Sequence, residues 1–314
     1  GVSPNEETAL RYFRTAAEAN DPDGQNLLGH IYSEGRGTAP DKDTAMIWFE
    51  KAAAQGHTVA QYNLAFLHHT RAPDAGELNQ ALNWYRKAAN NGYSSAQYQL
   101  FRMYANGEGV RESAKKALFW LRSSAETGSA GAQCDLATVY ERGLGVAQDW
   151  IEARLWYERA ARQGHAAALF HLGHIHSRGD GGPANAPEAV RCYQQAAHQG
   201  YGPAMLSLAQ MHDAGEGIPA NKQLAVDWYE KAAAAGDAIA CGNLAALYAS
   251  GEGVDADLFR ALVWAILAQR AAVRGGDPNE SAYRQQCETW LNSVTPETRN
   301  SAERAAAEWA ASHW

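Results

Sequence analysis

The residue types that could carry chemistry are few, and each can be tested against its spacing. Three histidines crowd the segment HLGHIH, at His171, His174 and His176. His171 and His174 are three apart and share a helix face, whereas His176 projects elsewhere. Zinc in proteins takes three or four converging protein ligands. One helix face does not supply them, so no metal is expected. Cys134, Cys192, Cys241 and Cys287 are far apart and show no C-x-x-C spacing. Buried small hydrophobes suit them better than a disulfide framework or a zinc site. The glycine-rich turns Gly107-Glu108-Gly109, Gly143-Leu144-Gly145, Gly215-Glu216-Gly217 and Gly251-Glu252-Gly253 lack the following G-K-S/T of a phosphate loop. No G-x-S-x-G elbow marks a nucleophile, and no Cys/His pair stands out. The scattered carboxylates read as solvated helix surface. The sequence therefore predicts no enzyme, no catalytic residue and no cofactor.

The elements that would position any site follow from an internal repeat. Trp48, Trp84, Trp120, Trp156, Trp228 and Trp264 share one register of 36 residues; Cys192 holds the missing place, and Tyr12 extends the register backwards. The same period governs Ala45 to Ala261, Leu28 to Leu244 and Gly56 to Gly236. Each unit reads as two helices. In the first, Ala60, Leu64 and Leu67 recur at helical spacing. A G-x-G turn ends it. In the second, Ala153, Trp156, Tyr157, Ala160 and Ala161 form the apolar side, and Gly164 stops it. The alanines let helices approach, and the Trp with the aromatic after it is expected to fill the space between units. One pair cannot bury this surface alone, but a stack can. His68, His176 and His212 stand in a column otherwise occupied by Tyr and read as packing substitutes. Arg71 to Asp74 replace the glycine turn of the second unit, and Gly179 to Pro183 enlarge that of the fifth.

The pattern A-x-Y-x-L, Y-x-x-G-x-G-V, A-x-x-W and A-x-x-G is carried by Ala96, Tyr98, Leu100, Tyr104, Gly107, Gly109, Val110, Ala117, Trp120, Ala125 and Gly128. It repeats at Ala240, Leu244, Tyr248, Gly251, Gly253 and Val254. It resembles the Sel-1-like repeat, a relative of the tetratricopeptide repeat. The resemblance implies an all-α, right-handed α-α superhelix of about seven to eight two-helix repeats over residues 1–273. Residues 274–314 break the period. Thr295-Pro296-Glu297 is a helix start with proline in the first turn. The segment is expected to be a helical cap on the last repeat.

The resemblance also implies that the first helix of each pair lines a concave, partner-binding surface. Columns of that helix that vary between units point to His30, Glu34, Phe66, His69, Arg102, Asn106, Glu141, Arg142, His174, Arg178, Gln210 and Asp213. Arginine and aromatic residues are the usual anchors of an interface. The net charge of −8 over 314 residues disfavours nucleic acid and anionic membrane, and no run is long enough to span a bilayer. The expected partner is another protein, a secreted toxic enzyme held by an immunity protein in the most specific form. Partners in envelope or exopolysaccharide assembly or in signalling are the second expectation; that the chain is itself an enzyme acting on the cell wall is the third. Cysteine-rich relatives linked to antibiotic hydrolysis carry paired cysteines that this chain lacks. A bacterial origin is implied, periplasmic or cytoplasmic, since a targeting segment upstream of Gly1 would not be visible here.

Overall fold

The computed structural model describes residues 4–71 and 75–314. The chain divides into two compact units, one ending at Asp149 and one running Trp150–Trp314. The first holds α1 (Pro4–Glu18), α2 (Pro22–Glu34), α3 (Lys42–Ala54), α4 (Thr58–Arg71), α5 (Ala75–Asn90), α6 (Ser94–Asn106), α7 (Ala114–Glu126) and α8 (Ala130–Arg142). The second holds α9 (Trp150–Arg162), α10 (Ala166–Arg178), α11 (Ala186–Ala197), α12 (Gly202–Ala214), α13 (Lys222–Ala234), α14 (Ala238–Ser250), α15 (Leu258–Gly275), α16 (Glu280–Leu291) and α17 (Pro296–His313). Among the described residues there is no strand. The fold class is all-α, an α-solenoid of two-helix repeats.

The hinges between helices repeat with the same chemistry. Gly107 ends α6 at φ 70°, a left-handed conformation costly for a side chain, and its N–H closes on the Met103 carbonyl. The equivalent glycines cap α2, α8, α10, α12 and α14. The helix that follows opens on a side-chain acceptor: Asp41, Ser113, Asn185, Asn221 and Asp257 each accept a bond from a first-turn N–H. In the second unit of the repeat, Arg71 stands where the capping glycine would be and pairs with Asp43 at 2.8 Å. The rest of that unusual turn, residues 72–74, lies outside the described residues.

The packing sharpens the expected roles of the columns. Ala45, Ala81, Ala153, Ala189 and Ala225 are fully buried, as are Leu28, Leu100, Leu136, Leu208 and Leu244. The residue after the Trp is the deeper one: Phe49, Tyr85, Leu121, Tyr157, Tyr193 and Tyr229 are each at most 2% exposed. The Trp itself is less deep, buried at 7–8% exposure for Trp156, Trp228 and Trp264 and shallower in the first unit. Trp48, Trp84 and Trp120 are half-buried, and a cation three residues on covers several of the rings. Lys51, Lys87, Arg159 and Lys231 lie 3.7–4.2 Å from the centroids of Trp48, Trp84, Trp156 and Trp228. Each such contact contributes on the order of 0.5–1 kcal/mol at a partly exposed site.

A polar column runs through the first unit. Gln25, Gln61, Gln97 and Gln133 are nearly inaccessible, and each donates Nε2 to the carbonyl eight residues back: Ala17, Ala53, Ala89 and Ala125, at 3.0–3.3 Å. These carbonyls belong to the last turn of the preceding helix, where each accepts the N–H three residues on, from Asn20, Gly56, Gly92 and Gly128, and the glutamine occupies the second lone pair. The glutamine oxygens accept in turn from the end of the second helix of the same repeat: Gln55 to Gln25, Asn91 to Gln61 and Thr127 to Gln97. In the second unit the same column is Leu169, Met205 and Cys241, and the first and last of these are buried. The tie between repeats is thus polar in one unit and apolar in the other.

Helices α16 and α17 join the apolar cluster of the second unit through Cys287, Leu291, Ala302 and Ala306, all at most 7% exposed. Trp309 packs edge-on against Trp264 with centroids 5.1 Å apart, and Trp314 Nε1 donates to the Ala233 carbonyl at 3.0 Å. Thr295 accepts from the Thr298 N–H, with Pro296 in the first turn of α17.

Candidate functional site

The residues predicted to bind a partner lie on the first helices of the repeats: eight in the first unit and four in the second. In the first unit His30, Glu34 and Phe66 come together. With Ser33, Phe49, Tyr62, Asn63 and Leu67 they line a cleft of about 260 Å³ between α2 and α4. Glu34 and Phe66 are exposed, Phe66 by 46%. His30 is half-buried, edge-on to Phe49 at 5.4 Å, and its Nε2 lies 3.0 Å from Asn63 Nδ2, which also donates to Asn26 Oδ1. Further along, Arg102 and Asn106 on α6 and Arg142 on α8 are exposed, while Glu141 is half-buried. The face is cross-linked between repeats: Tyr98 Oη donates to Asp135 at 2.7 Å, and His69 Nε2 sits 2.9 Å from Glu108.

Three of the predicted residues are less free than their variation between repeats suggested. His69 is half-buried and paired with Glu108, and its ring is edge-on to the buried Tyr85 at 5.9 Å. His174 packs edge-on against Phe170 and Tyr193, at 4.7 and 5.7 Å. Asp213 receives Lys222 Nζ at 2.6 Å and Tyr229 Oη at 3.2 Å. Variation there reflects partner switching inside the scaffold as well as exposure. Arg178 and Gln210 remain exposed.

The histidine segment separates in three directions. His171 stacks on Tyr157 at 5.0 Å, and His174 joins the aromatic group just described. His176, in the last turn of α10, faces Glu188 and Cys192 on α11. One ligand atom from each of the three lies within 4.8 Å of the others. Glu188 and Cys192 are four apart on one helix, hence on one face. They border a cavity of about 420 Å³ that Glu158, Leu172, Arg191 and Gln195 also line. Burial holds the His176 imidazole below the ordinary histidine range, against the upward pull of Glu188 and Glu158. The Arg191 hydrogen bonds depress the Glu188 carboxyl. Burial pushes the Cys192 thiol up to about 11. The signal for this convergence was present as two separate oddities, a Cys in the Trp column and a His in the Tyr column. Only the pairing of α10 with α11 brings them together.

Eight segments match the Sel1 repeat: residues 1–21, 22–57, 58–93, 94–129, 130–165, 166–201, 202–237 and 238–270. The chain belongs to the Sel1 repeat family. Its members serve as protein-interaction scaffolds, and that coarse role applies to this chain. Among solved structures, a Sel1 repeat protein from Oxalobacter formigenes is 29% identical with a TM-score of 0.67, covering 89% of this chain and 80% of its own. The protective antigen c5321 of uropathogenic Escherichia coli, which displays an SLR fold, is 25% identical with a TM-score of 0.57, covering 98% of this chain and 72% of its own. No curated protein matches the chain at a significant level. Among the described residues, no helix is long and apolar enough to cross a membrane.

Proposed function

We propose that this Sel1 repeat protein grips a protein partner on the first-helix face of its first unit, around the cleft of His30, Glu34 and Phe66, with Arg102 and Arg142 as further anchors. The observation that carries this reading is the exposure of Phe66, a large aromatic left 46% accessible beside a cleft, in a chain that buries Phe49, Tyr85, Tyr157 and Tyr229, the aromatics that follow a repeat Trp. Exposed aromatics next to arginines are the side chains that dominate interface energetics. The net charge of −8 favours a basic partner surface and faster encounter with it. In its specific form the reading is capture and neutralisation of a secreted effector enzyme. Affinity capture from the native organism, compared between the wild type and the double variant Phe66→Ala/Arg102→Ala, tests it. A hot-spot loss of about 2 kcal/mol corresponds to roughly 30-fold weaker binding, so a specific partner should drop out of the variant's eluate. The captured protein, once purified, should lose its enzymatic activity on adding the wild type and keep it with the variant. Identical capture by both proteins, with helicity unchanged, would overturn the assignment of this face.

A further inference from the structure

Repeat 166–201 departs from its siblings in several columns at once, and the departures meet in space. The first-helix Tyr of Tyr32, Tyr104, Tyr140 and Tyr248 becomes His176. The second-helix Trp becomes Cys192, and the cation that covers that Trp becomes Gln195. From the preceding repeat, the position that is an arginine donating to the Tyr hydroxyl in three cases (Arg14 to Tyr32, Arg86 to Tyr104, Arg122 to Tyr140) is Glu158, as it is also a glutamate at Glu50 and Glu230. Bulk is thereby exchanged for donor atoms, and a cavity of about 420 Å³ opens where an indole would stand. The other two histidines of this column follow a different course. His68 pairs with Glu77 and His212 lies in a repeat that keeps Trp228, so neither faces a thiol. A packing substitution alone accounts for His212. It does not account for a His, a Cys and a carboxylate converging in one repeat.

We propose that His176, Glu188 and Cys192 form a binding site for a single divalent transition-metal ion of the zinc class, with a water in the fourth position facing the cavity. Imidazole nitrogen, carboxylate oxygen and thiolate sulfur are the zinc donor types, and three protein ligands plus water is the arrangement of an open site. A tetrahedral zinc with ordinary bond lengths sets its ligand atoms ~3.3–3.7 Å apart. The present limit of 4.8 Å therefore needs only side-chain rotation to close. The Cys192 thiol proton leaves to solvent on binding, so the carboxylate and thiolate neutralise the dication in a half-buried setting. Glu188 exchanges its Arg191 partner, which is itself 57% exposed and readily rehydrated. Glu158, across the cavity, is held by Arg154 at 3.0 Å and Arg162 at 3.7 Å and is not required as a ligand.

Cobalt(II) is the probe, because a cobalt–thiolate bond shows as a charge-transfer absorption in the near ultraviolet. Titrated into the 314-residue chain, it should give that band, saturate at one ion per chain and be displaced by zinc. Cys192→Ser should abolish the band, and His176→Gln should weaken binding roughly tenfold or more. Cys241→Ser and Cys134→Ser should leave both intact. Cys192→Trp, which restores the residue of the sibling repeats, guards against misfolding as the explanation: it should keep full helicity and bind no metal. Absence of the band in the wild type, its persistence in Cys192→Ser, or a stoichiometry that follows Cys134 or Cys241 would each overturn the proposal.

Discussion

Replacing Gln97 by methionine and by alanine separates the polar and the space-filling contributions of the glutamine column. Gln97 is 6% exposed, donates to the Ala89 carbonyl at 3.2 Å and accepts from Thr127 Oγ1 at 3.0 Å. Two bonds of net worth about 1 kcal/mol each set the polar part at about 2 kcal/mol. Thr127 keeps an alternative acceptor in the Ser123 carbonyl at 2.7 Å, and the Ala89 carbonyl keeps the Gly92 N–H at 3.0 Å, so neither former partner is left wholly unpaired. Methionine matches the length of glutamine, and Met205 occupies the same column in the second unit. Its gain in apolar transfer offsets part of the loss, leaving a cost of about 0–1.5 kcal/mol. Alanine forfeits the bonds and the filling volume together, for about 2–4 kcal/mol. Urea denaturation followed by circular dichroism gives the midpoints, and hydrogen exchange of α5 and α6 places the loss locally, which matters because an array of two units need not unfold in one step. Alanine costing no more than methionine, or either change leaving exchange in α5 and α6 untouched, would refute the account.

Further outcomes follow from groups whose burial shifts their ionisation. Both ring nitrogens of His212 are buried without a hydrogen-bond partner, and burial lowers its pKa below the ordinary 6.5. Its stabilising neutral form is present above 6.5 and lost as pH falls through the lowered value, so His212→Tyr, the residue of Tyr248 and Tyr104, should move the acid-unfolding midpoint to lower pH; an unchanged midpoint counts against this. Burial and Asp135 push Tyr98 from 10.0 up to about 12. Stability tied to that hydroxyl holds below pH 10 and falls as pH rises towards 12, and Tyr98→Phe should lessen the loss in an alkaline titration followed by circular dichroism. Cys134 is 6% exposed and pushed up to about 12 by burial. A thiol reagent should label it only as fast as the first unit opens, and prompt labelling of the native protein would show the burial to be wrong.

The scaffold was legible in the sequence because repetition overstates its own rules. A column occupied six times by Trp, or seven times by Leu, has one physical explanation, packing against a copy of itself. What one repeat can hide is the division of labour inside a column pair. The Trp and the residue after it look equivalent as bulky apolar groups, yet Phe49 is 2% exposed while Trp48 remains half-buried under Lys51. Exposure of the varying columns was legible at Phe66, Arg102 and Arg142 but not at Asp213 or His69, because a side chain can vary by exchanging one internal partner for another. Lys222 and Glu108, the partners in question, stand nine and thirty-nine residues away. The convergence of His176 with Cys192 was hidden for a related reason: the two fall in different columns, and only the facing of α10 and α11 makes them neighbours.

The place of Cys192 in the Trp column has a consequence for how such a chain can change. In a protein with one central core, exchanging its largest aromatic for a cysteine empties the structure that everything else leans on. Here the loss is confined to one link. Its Ala189, Tyr193 and Leu172 stay buried, and α9 and α12 hold the helix pair from either side. Redundancy among near-identical modules thus releases single positions from structural duty. A tandem array can try out new side chains in one module while the others keep the chain folded.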